Sequence, residues 1–295
     1  MEQQAILITA YKNYAHLLDI VRYFDDDFKI FIHIDKKSHT TLEILNTIKK
    51  VSNVALVSQK YKVNWGGRNH LKSILYLSEE ALKFPNISVF HLISGHDYPI
   101  KPLAYFKHFY KIYGDKDYFE FSELPSVKWP NGGLDRIIYY NFYDTLDAKK
   151  YRPHIFKLVK LQQQLGIKRP LGSKVPKLYG GETWWTLSRE TLAYVIDYTH
   201  KTPYFFKRLK HSFCSEEIYF HSIILNSDYA HKAINDSLRY IDWSDRNGNF
   251  PANLNMDDLE AFKTSNALFA RKFEFPISQE LKLALMDNLE QEPII

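Results

Sequence analysis

AILITAYKN at residues 5–13 opens with a short continuous apolar run, the pattern of a buried strand, and closes on the polar pair Lys12–Asn13. Leu17, Leu18, Ile20, Val21 and Phe24 follow at the spacing of one helix face. The reading is strand, loop, helix, and it recurs. FKIFIHI (28–34) precedes a helix from about Thr40, NVALVS (53–58) precedes one over 68–83, and SVFHLIS (88–94) precedes one over 102–112. Four β–α units in the first ~115 residues predict an α/β fold with a Rossmann-like, mostly parallel sheet flanked by helices. Ligands of such sheets sit beyond the carboxyl ends of the strands. The segments to inspect are therefore Thr9–Asn13, Asp35–Lys37, Ser58–Arg68 and Ser94–Tyr98.

From about Asp117 the pattern becomes mixed α+β. Short strands are predicted at DYFEF (117–121), IIYYNFY (137–143), ETWWTL (182–187), SLRYID (237–242) and ALFARKF (267–273). Helices are predicted at roughly 154–165, 189–200, 215–226, 256–263 and 278–289. The basic stretch GIKRPLGSKVPKLYGG (166–181) reads as a long loop with little core of its own, and ELKLALMDNLEQ (280–291) as a docking helix.

The chain has 295 residues, 45% of them apolar and 25% charged, the composition of an ordinary globular protein. No run of apolar residues is long enough to span a bilayer. The start, MEQQAILITAYKN, has no basic leader region, and the lone Cys214 can form neither an internal disulfide nor a thiolate cluster, so a reducing, cytoplasmic setting is expected. Net charge is +5, which suits an anionic small ligand or an acidic membrane surface as well as nucleic acid. The basic residues are scattered rather than arrayed in a stripe, and no nucleic-acid partner is expected. Aromatic residues reach 16% and many stand beside polar ones, as in YYNFYD and ETWWTL, where flat faces could hold sugar rings or simply fill a core.

No glycine follows the first strand, so neither a dinucleotide turn nor a P-loop fits ITAYKNY. A nucleotide at this edge would be held by side chains. Asp35, at a strand end, is placed to accept from a ribose or base edge; as a turn acid beside Lys36 and Lys37 it would have no such role. The acids at 25–27 lie at the wrong end of the sheet and read as a solvated turn. His33, His91 and His96 have no zinc spacing, and no metal site is expected. Asp97 in SGHDYPIK is either a turn acid or a ligand contact. Trp184 and Trp185 face opposite ways on a strand, one toward the core and one able to line a sugar site. Glu216 and Glu217 open a helix, where carboxylates meet the dipole favourably; the alternative is a general base with its neighbour orienting it. Arg271 and Lys272 end a short apolar run, either as a solvated pair or as cations that meet a leaving diphosphate.

The ordered set ILITAYKN, FIHIDKKS, VNWGGRNHLKSILYLSEEAL, HLISGHDYPIK, GETWWTLSRE, CSEEIYFHSII, LRYIDW and LFARKF, over about 5–275, resembles the Core-2/I-branching β-1,6-N-acetylglucosaminyltransferase and peptide-O-xylosyltransferase family. The resemblance implies a GT-A-type fold in one domain, with residues 1–115 as the nucleotide-sugar half and 116–295 as the acceptor and catalytic half. It implies an inverting, UDP-sugar-dependent transferase that needs no divalent metal or other cofactor. Carried over by position, Glu217 is the general base. Lys272, with Arg271 or Arg246, meets the diphosphate. Thr9, Tyr11 and Asp35 lie on the nucleotide, and Asp97, Trp185, Glu216 and Tyr240 on donor or acceptor sugar. The family often has Asp-Glu where this chain has Glu216–Glu217, and His where it has Tyr11. Eukaryotic members carry membrane anchors and disulfides, so the resemblance points to a bacterial member at the cytosolic face. Its acceptor would be a surface saccharide or glycolipid, and loop 166–181 would touch the inner membrane face. A non-catalytic carbohydrate- or nucleotide-binding module on the same fold is the alternative.

Overall fold

The computed structural model describes residues 2–291. The first half runs β1 (Gln3–Ala10), α1 (Tyr14–Tyr23), β2 (Phe28–Ile34), α2 (Leu42–Lys49), β3 (Val54–Ser58), α3 (Asn69–Leu82), β4 (Ile87–Ser94), β5 (Asp97–Pro99) and α4 (Leu103–Tyr113). It continues with β6 (Asp117–Phe119), β7 (Ser122–Glu123), α5 (Asp135–Ile138), α6 (Ala148–Gln164), β8 (Tyr179–Gly180), β9 (Trp185–Ser188), α7 (Arg189–Lys201), α8 (Pro203–Arg208) and α9 (Glu216–Leu225). The last elements are β10 (Ala233–Ile234), β11 (Arg239–Ile241), α10 (Leu259–Thr264), β12 (Phe269–Arg271) and α11 (Gln279–Gln291).

The main sheet has seven strands in the order β10-β6-β9-β4-β1-β2-β3. β1 pairs in parallel with β2 and β4, and β2 with β3, so the four β–α units form one parallel half as their apolar runs predict. β9 is antiparallel to both β4 and β6. Strands of both chain halves thus share one sheet. Its two faces are covered by separate cores, one built around Ile6, Ile8, Leu17, Phe106 and Phe269, the other around Leu7, Phe31, Leu75, Trp185 and Phe220. The strict alternation of Ile6/Ile8 against Leu7 is the period of a strand buried on both faces.

A second sheet, β11-β12-β5, caps the carboxyl edge of the first. β5 starts three residues after β4 ends, and β12 pairs against it with Arg271 opposite Asp97. This brings a segment from the far end of the chain over the strand ends where ligands bind. Arg239 on β11 locks the two sheets together. Its buried guanidinium donates to Thr186 Oγ1 (2.9 Å), Ser237 O (2.5 Å), Leu92 O (3.0 Å) and Trp185 O (2.9 Å). Arg239→Met would leave buried carbonyls unpaired at about 1–3 kcal/mol each. Chemical denaturation should therefore report a loss of at least about 3 kcal/mol, and a loss below about 1 kcal/mol would contradict this role.

Three expectations change. IIYYNFY is not a strand: α5 ends at Ile138, and Tyr140 finds its partners in the Gln162 amide, which accepts from Tyr140 N (2.8 Å) and donates to Tyr140 O (3.0 Å). A side chain on α6 does the work of a neighbouring strand. α6 begins six residues earlier than expected, at Ala148, because Asp147 caps it by accepting from Lys149 N (3.0 Å), and Pro153 lies inside the helix. The loop after α6 is anchored. Arg169 is buried and donates to the carbonyls of Ile137, Tyr139, Arg208 and Lys210, while Leu171, Val175 and Leu178 pack on the core. The acids at 25–27 form the expected exposed turn at the amino end of the sheet, with Asp25 (2.6 Å) and Asp27 (2.5 Å) on Lys107. α11 docks through buried Leu281 and Leu285.

Candidate active site

Thr9, the last residue but one of β1, lies between His33 of β2 and Ser94 of β4 at the centre of the carboxyl edge. Its hydroxyl lies 3.2 Å from His70 Nε2, and His70 Nδ1 lies 3.0 Å from Glu216 Oε1. His70 comes from the first turn of α3, placed there by the turn through Gly66 and Gly67. Gly66 is held at φ +76°, where a Cβ would meet Phe213 at 2.5 Å. The chain Glu216–His70–Thr9 thus ties the start of α9 to the end of β1. Glu216 is buried, and its Oε2 has no hydrogen-bond partner among the described residues.

Glu217 is the next residue on α9 and faces differently. Its side chain remains 25% exposed and forms an ion pair with Arg136 of α5. The Arg136 guanidinium lies 4.1 Å from the Trp129 ring and 5.0 Å from Phe213, so aromatic faces hold the cation that holds the acid. Burial pushes the Glu217 carboxyl above the ordinary glutamate value; Arg136 opposes this and Glu216 reinforces it. A partly open carboxylate with raised basicity is what a general base requires.

Arg271 and Lys272 stand on the capping sheet. The Arg271 guanidinium is 4.3 Å from the Trp184 ring, and its Nε is 3.4 Å from Asp97 Oδ1. Asp97 is fully buried; it accepts from Ser94 N (2.7 Å) and Ser94 Oγ (2.7 Å), and burial raises its pKa against the pull of Arg271. Lys272 is half-buried, its pKa lowered first by burial and then by Arg271 and Lys12, with Glu274 opposing. Lys12 itself pairs with Glu274 at 2.7 Å. Crowded cations of this kind favour an incoming anion, whose charge relieves their repulsion. Burial together with Lys272 and Lys12 also lowers His96 to about 4, so its ring is neutral at pH 7. Tyr11 is 41% exposed, with its ring 5.2 Å from His96.

Thr9, Tyr11, Glu216, Glu217, Arg271 and Lys272 thus gather around the carboxyl edge. Other expected residues take different places. Trp185 is buried in the core against Phe220 (5.1 Å), because its side of β9 faces the sheet interior; Trp184 is the tryptophan beside the cations. Arg246 is bound to Asp242 (2.8 Å) and Asp258 (2.6 Å), which leaves Arg271 as the cation beside Lys272. Asp97 is a positioning acid beneath Arg271 rather than an exposed contact. Tyr240, opposite Ala270 in the strand register, donates to Asp258 Oδ1 (3.3 Å) and packs on Phe262. Asp35 ties its own turn to the segment between β3 and α3, accepting from Lys37 N (3.0 Å) and Val63 N (2.9 Å), and is 9% exposed. Among the described residues, no group of three or more His, Cys, Asp or Glu side chains is placed to hold a metal ion.

Glu182 was not expected. It follows Gly181, whose N–H donates to Glu217 O (3.0 Å), and it lines a cavity of about 410 Å³ with Glu120, Lys128, Arg239 and Trp243. Glu182 Oε1 accepts from Trp243 Nε1 (3.2 Å), and burial with Glu120 raises its pKa to about 7. A Cβ on Gly181 would fall 1.7 Å from Glu120 O, so only glycine lets this segment run beside α9. His70, Arg136 and Glu182 each follow a glycine pair (Gly66–Gly67, Gly132–Gly133 and Gly180–Gly181) within three residues, the one signal in the sequence that marks them.

Comparison with known proteins places the chain. It is 25% identical over 283 residues to human xylosyltransferase 1, covering 88% of this chain and 27% of that protein. It is 23% identical over 293 residues to a xylosyltransferase of Ciona intestinalis, covering 92% of this chain and 32% of the relative. The chain therefore spans about a third of the length of these relatives. Among solved structures, mouse xyloside xylosyltransferase 1 in its apo form aligns with a TM-score of 0.36 at 10% identity, over 92% of this chain and 97% of that one. S. aureus TarS 1–349 in complex with UDP aligns with a TM-score of 0.31 at 13% identity, over 43% of this chain and 38% of that one. The Core-2/I-branching enzyme family model matches residues 5–264, and the chain belongs to that family.

Proposed function

We propose that the protein is an inverting glycosyltransferase that moves a sugar from a UDP-sugar to a hydroxyl of a saccharide or glycolipid acceptor, with no divalent metal. The observation that carries this reading is the pairing of a partly exposed carboxylate of raised pKa, Glu217, with a two-cation segment, Arg271–Lys272, on the same strand-end edge. Glu217 takes the proton of the acceptor hydroxyl while its oxygen attacks the anomeric carbon. The bond from that carbon to the diphosphate oxygen breaks, and its electron pair leaves with UDP. Lys272 and Arg271 stabilise the charge that develops there. Attack opposite the leaving group inverts the anomeric centre to a β-linkage. The cavity lined by Glu120, Glu182 and Trp243 would receive the acceptor, with carboxylates for hydroxyls and an indole for the apolar face of a pyranose. GlcNAc, xylose, galactose and glucose are the candidate sugars. Surface-glycan synthesis in the bacterial cytoplasm is the setting within the same proposal.

The test is UDP release with a panel of these donors and mixed saccharide acceptors in excess EDTA. Transfer with a β-linked product supports the reading; UDP binding without turnover for every donor would favour a non-catalytic module. The Arg136 contact gives a sharper prediction. Because Arg136 lowers the Glu217 pKa, Arg136→Gln should raise it, and the acid limb of kcat/KM should move to higher pH by about one unit or more. Activity lost at neutral pH should then return as pH rises. An unmoved limb would remove Glu217 as the titrating base.

A further inference from the structure

α6 is held to the body along one narrow line. Ala148, Ile155 and Gln162 are its buried positions, at intervals of seven residues. Beside that line a second stripe points outward, with Tyr151 45%, Leu158 37%, Leu161 49% and Leu165 63% exposed. With His154 these positions recur at alternating steps of three and four, the spacing of a continuous apolar face. A surface helix ordinarily turns such a face inward. Here it is turned out, and Ile167, 46% exposed just past the helix, extends it.

The charge around the stripe has one sign. From Ala148 to Gly181 the sequence holds seven lysines and two arginines and no Asp or Glu. Arg169 is consumed by buried carbonyls and Lys177 pairs with Glu123 at 2.6 Å. Lys150 and Lys157 remain exposed along the edge of the apolar stripe, with Lys160 on the next face of the helix. Packing a second copy stripe to stripe would set these lysines against their equivalents with no acid on either helix to meet them. The exposed face is one side of a single helix, an apolar stripe edged by lysines. A bilayer interface accepts that shape: the apolar stripe enters the acyl boundary while lysines reach the headgroups.

We propose that α6 lies in the surface of an anionic lipid bilayer and holds the protein there peripherally; no described helix is long and apolar enough to cross a membrane. The docking element is the helix rather than the anchored loop that follows it. Its first turn borders the candidate active site, where Lys149 Nζ lies 5.4 Å from the Tyr11 ring and the capping Asp147 pairs with Lys37 at 3.1 Å. Docking therefore sets the carboxyl edge beside the headgroups, within reach of a lipid-linked acceptor. That last consequence rests on the proposed function, whereas the lipid binding does not.

The experiment is flotation with vesicles of phosphatidylcholine alone and of phosphatidylcholine with phosphatidylglycerol, at low and high salt. The protein should float with the anionic vesicles at low salt, be released at high salt, and ignore the zwitterionic ones. Combined Lys150→Glu, Lys157→Glu and Lys160→Glu should lower partitioning by about a hundredfold. Leu158→Ser with Leu161→Ser should also weaken it. These side chains are exposed, so both variants should keep the parent's thermal unfolding midpoint. Failure to float with anionic vesicles, equal binding to phosphatidylcholine alone, or indifference to both sets of substitutions would overturn the proposal. So would a dimer in sedimentation that Leu161→Ser dissociates while vesicle binding is absent. Each outcome is read without any donor sugar, so loss of the transferase reading would leave it intact.

Discussion

Glu217→Gln is expected to lower sugar transfer about 10²–10⁴-fold, the range for loss of a general base, while UDP binding stays within a few-fold of the parent. The isosteric amide keeps the shape at the start of α9 and retains an oxygen that can accept from Arg136. It cannot take a proton from the acceptor. Because burial raises the Glu217 carboxyl, the parent enzyme should gain activity as pH climbs through that value, and the glutamine variant should lose this limb along with its rate. Steady-state kinetics at saturating donor, with UDP titration in parallel, checks both parts. Near-full activity in Glu217→Gln would end its role as base. Glu216 would not replace it directly: it is buried and committed to His70 through Oε1, so its substitution should act through the position of α9.

Lys272→Ala should lower turnover about 10²–10³-fold, the effect of removing one group that stabilises charge in the transition state. UDP affinity should fall as well, since in the proposed reading the same ammonium meets the diphosphate of the product. Lys272 is the cleaner test of the cation pair. Arg271 also faces buried Asp97 at 3.4 Å and lies 4.3 Å from the Trp184 ring, so its removal would leave a buried acid uncompensated and cost stability along with activity. Turnover that survives Lys272→Ala while Arg271→Lys abolishes it would shift the leaving-group role to the arginine alone.

The parallel half of the fold was legible because its strands are apolar on both faces and its helices on one. FKIFIHI matches β2 residue for residue, and the helix predicted over 68–83 forms as Asn69–Leu82. IIYYNFY misled because its β-branched and aromatic residues fit an extended chain, and the partner that replaces a strand, Gln162, is 22 residues from Tyr140. Within the candidate site, Glu217 and Lys272 were singled out through the resemblance, and their proposed roles rest on it together with their position near the strand ends. The tryptophan pair could not be resolved from alternation alone, since both side chains are buried in the same core; contact distinguishes them, Trp185 against Phe220 and Trp184 under the Arg271 guanidinium. Arg246 looked available because its acids, Asp242 and Asp258, lie on either side of a turn that brings them together. Arg136, His70 and Glu182 act only across long sequence separations, which one-dimensional spacing does not carry.

The most direct measurement is calorimetric titration of UDP into the parent protein in excess EDTA. It needs neither the donor sugar nor the acceptor, and it addresses the claim that side-chain cations alone hold the diphosphate. The account predicts saturable binding that is unchanged by added Mg²⁺ or Mn²⁺. Binding that appears only when one of these ions is supplied, or no binding under either condition, would contradict it.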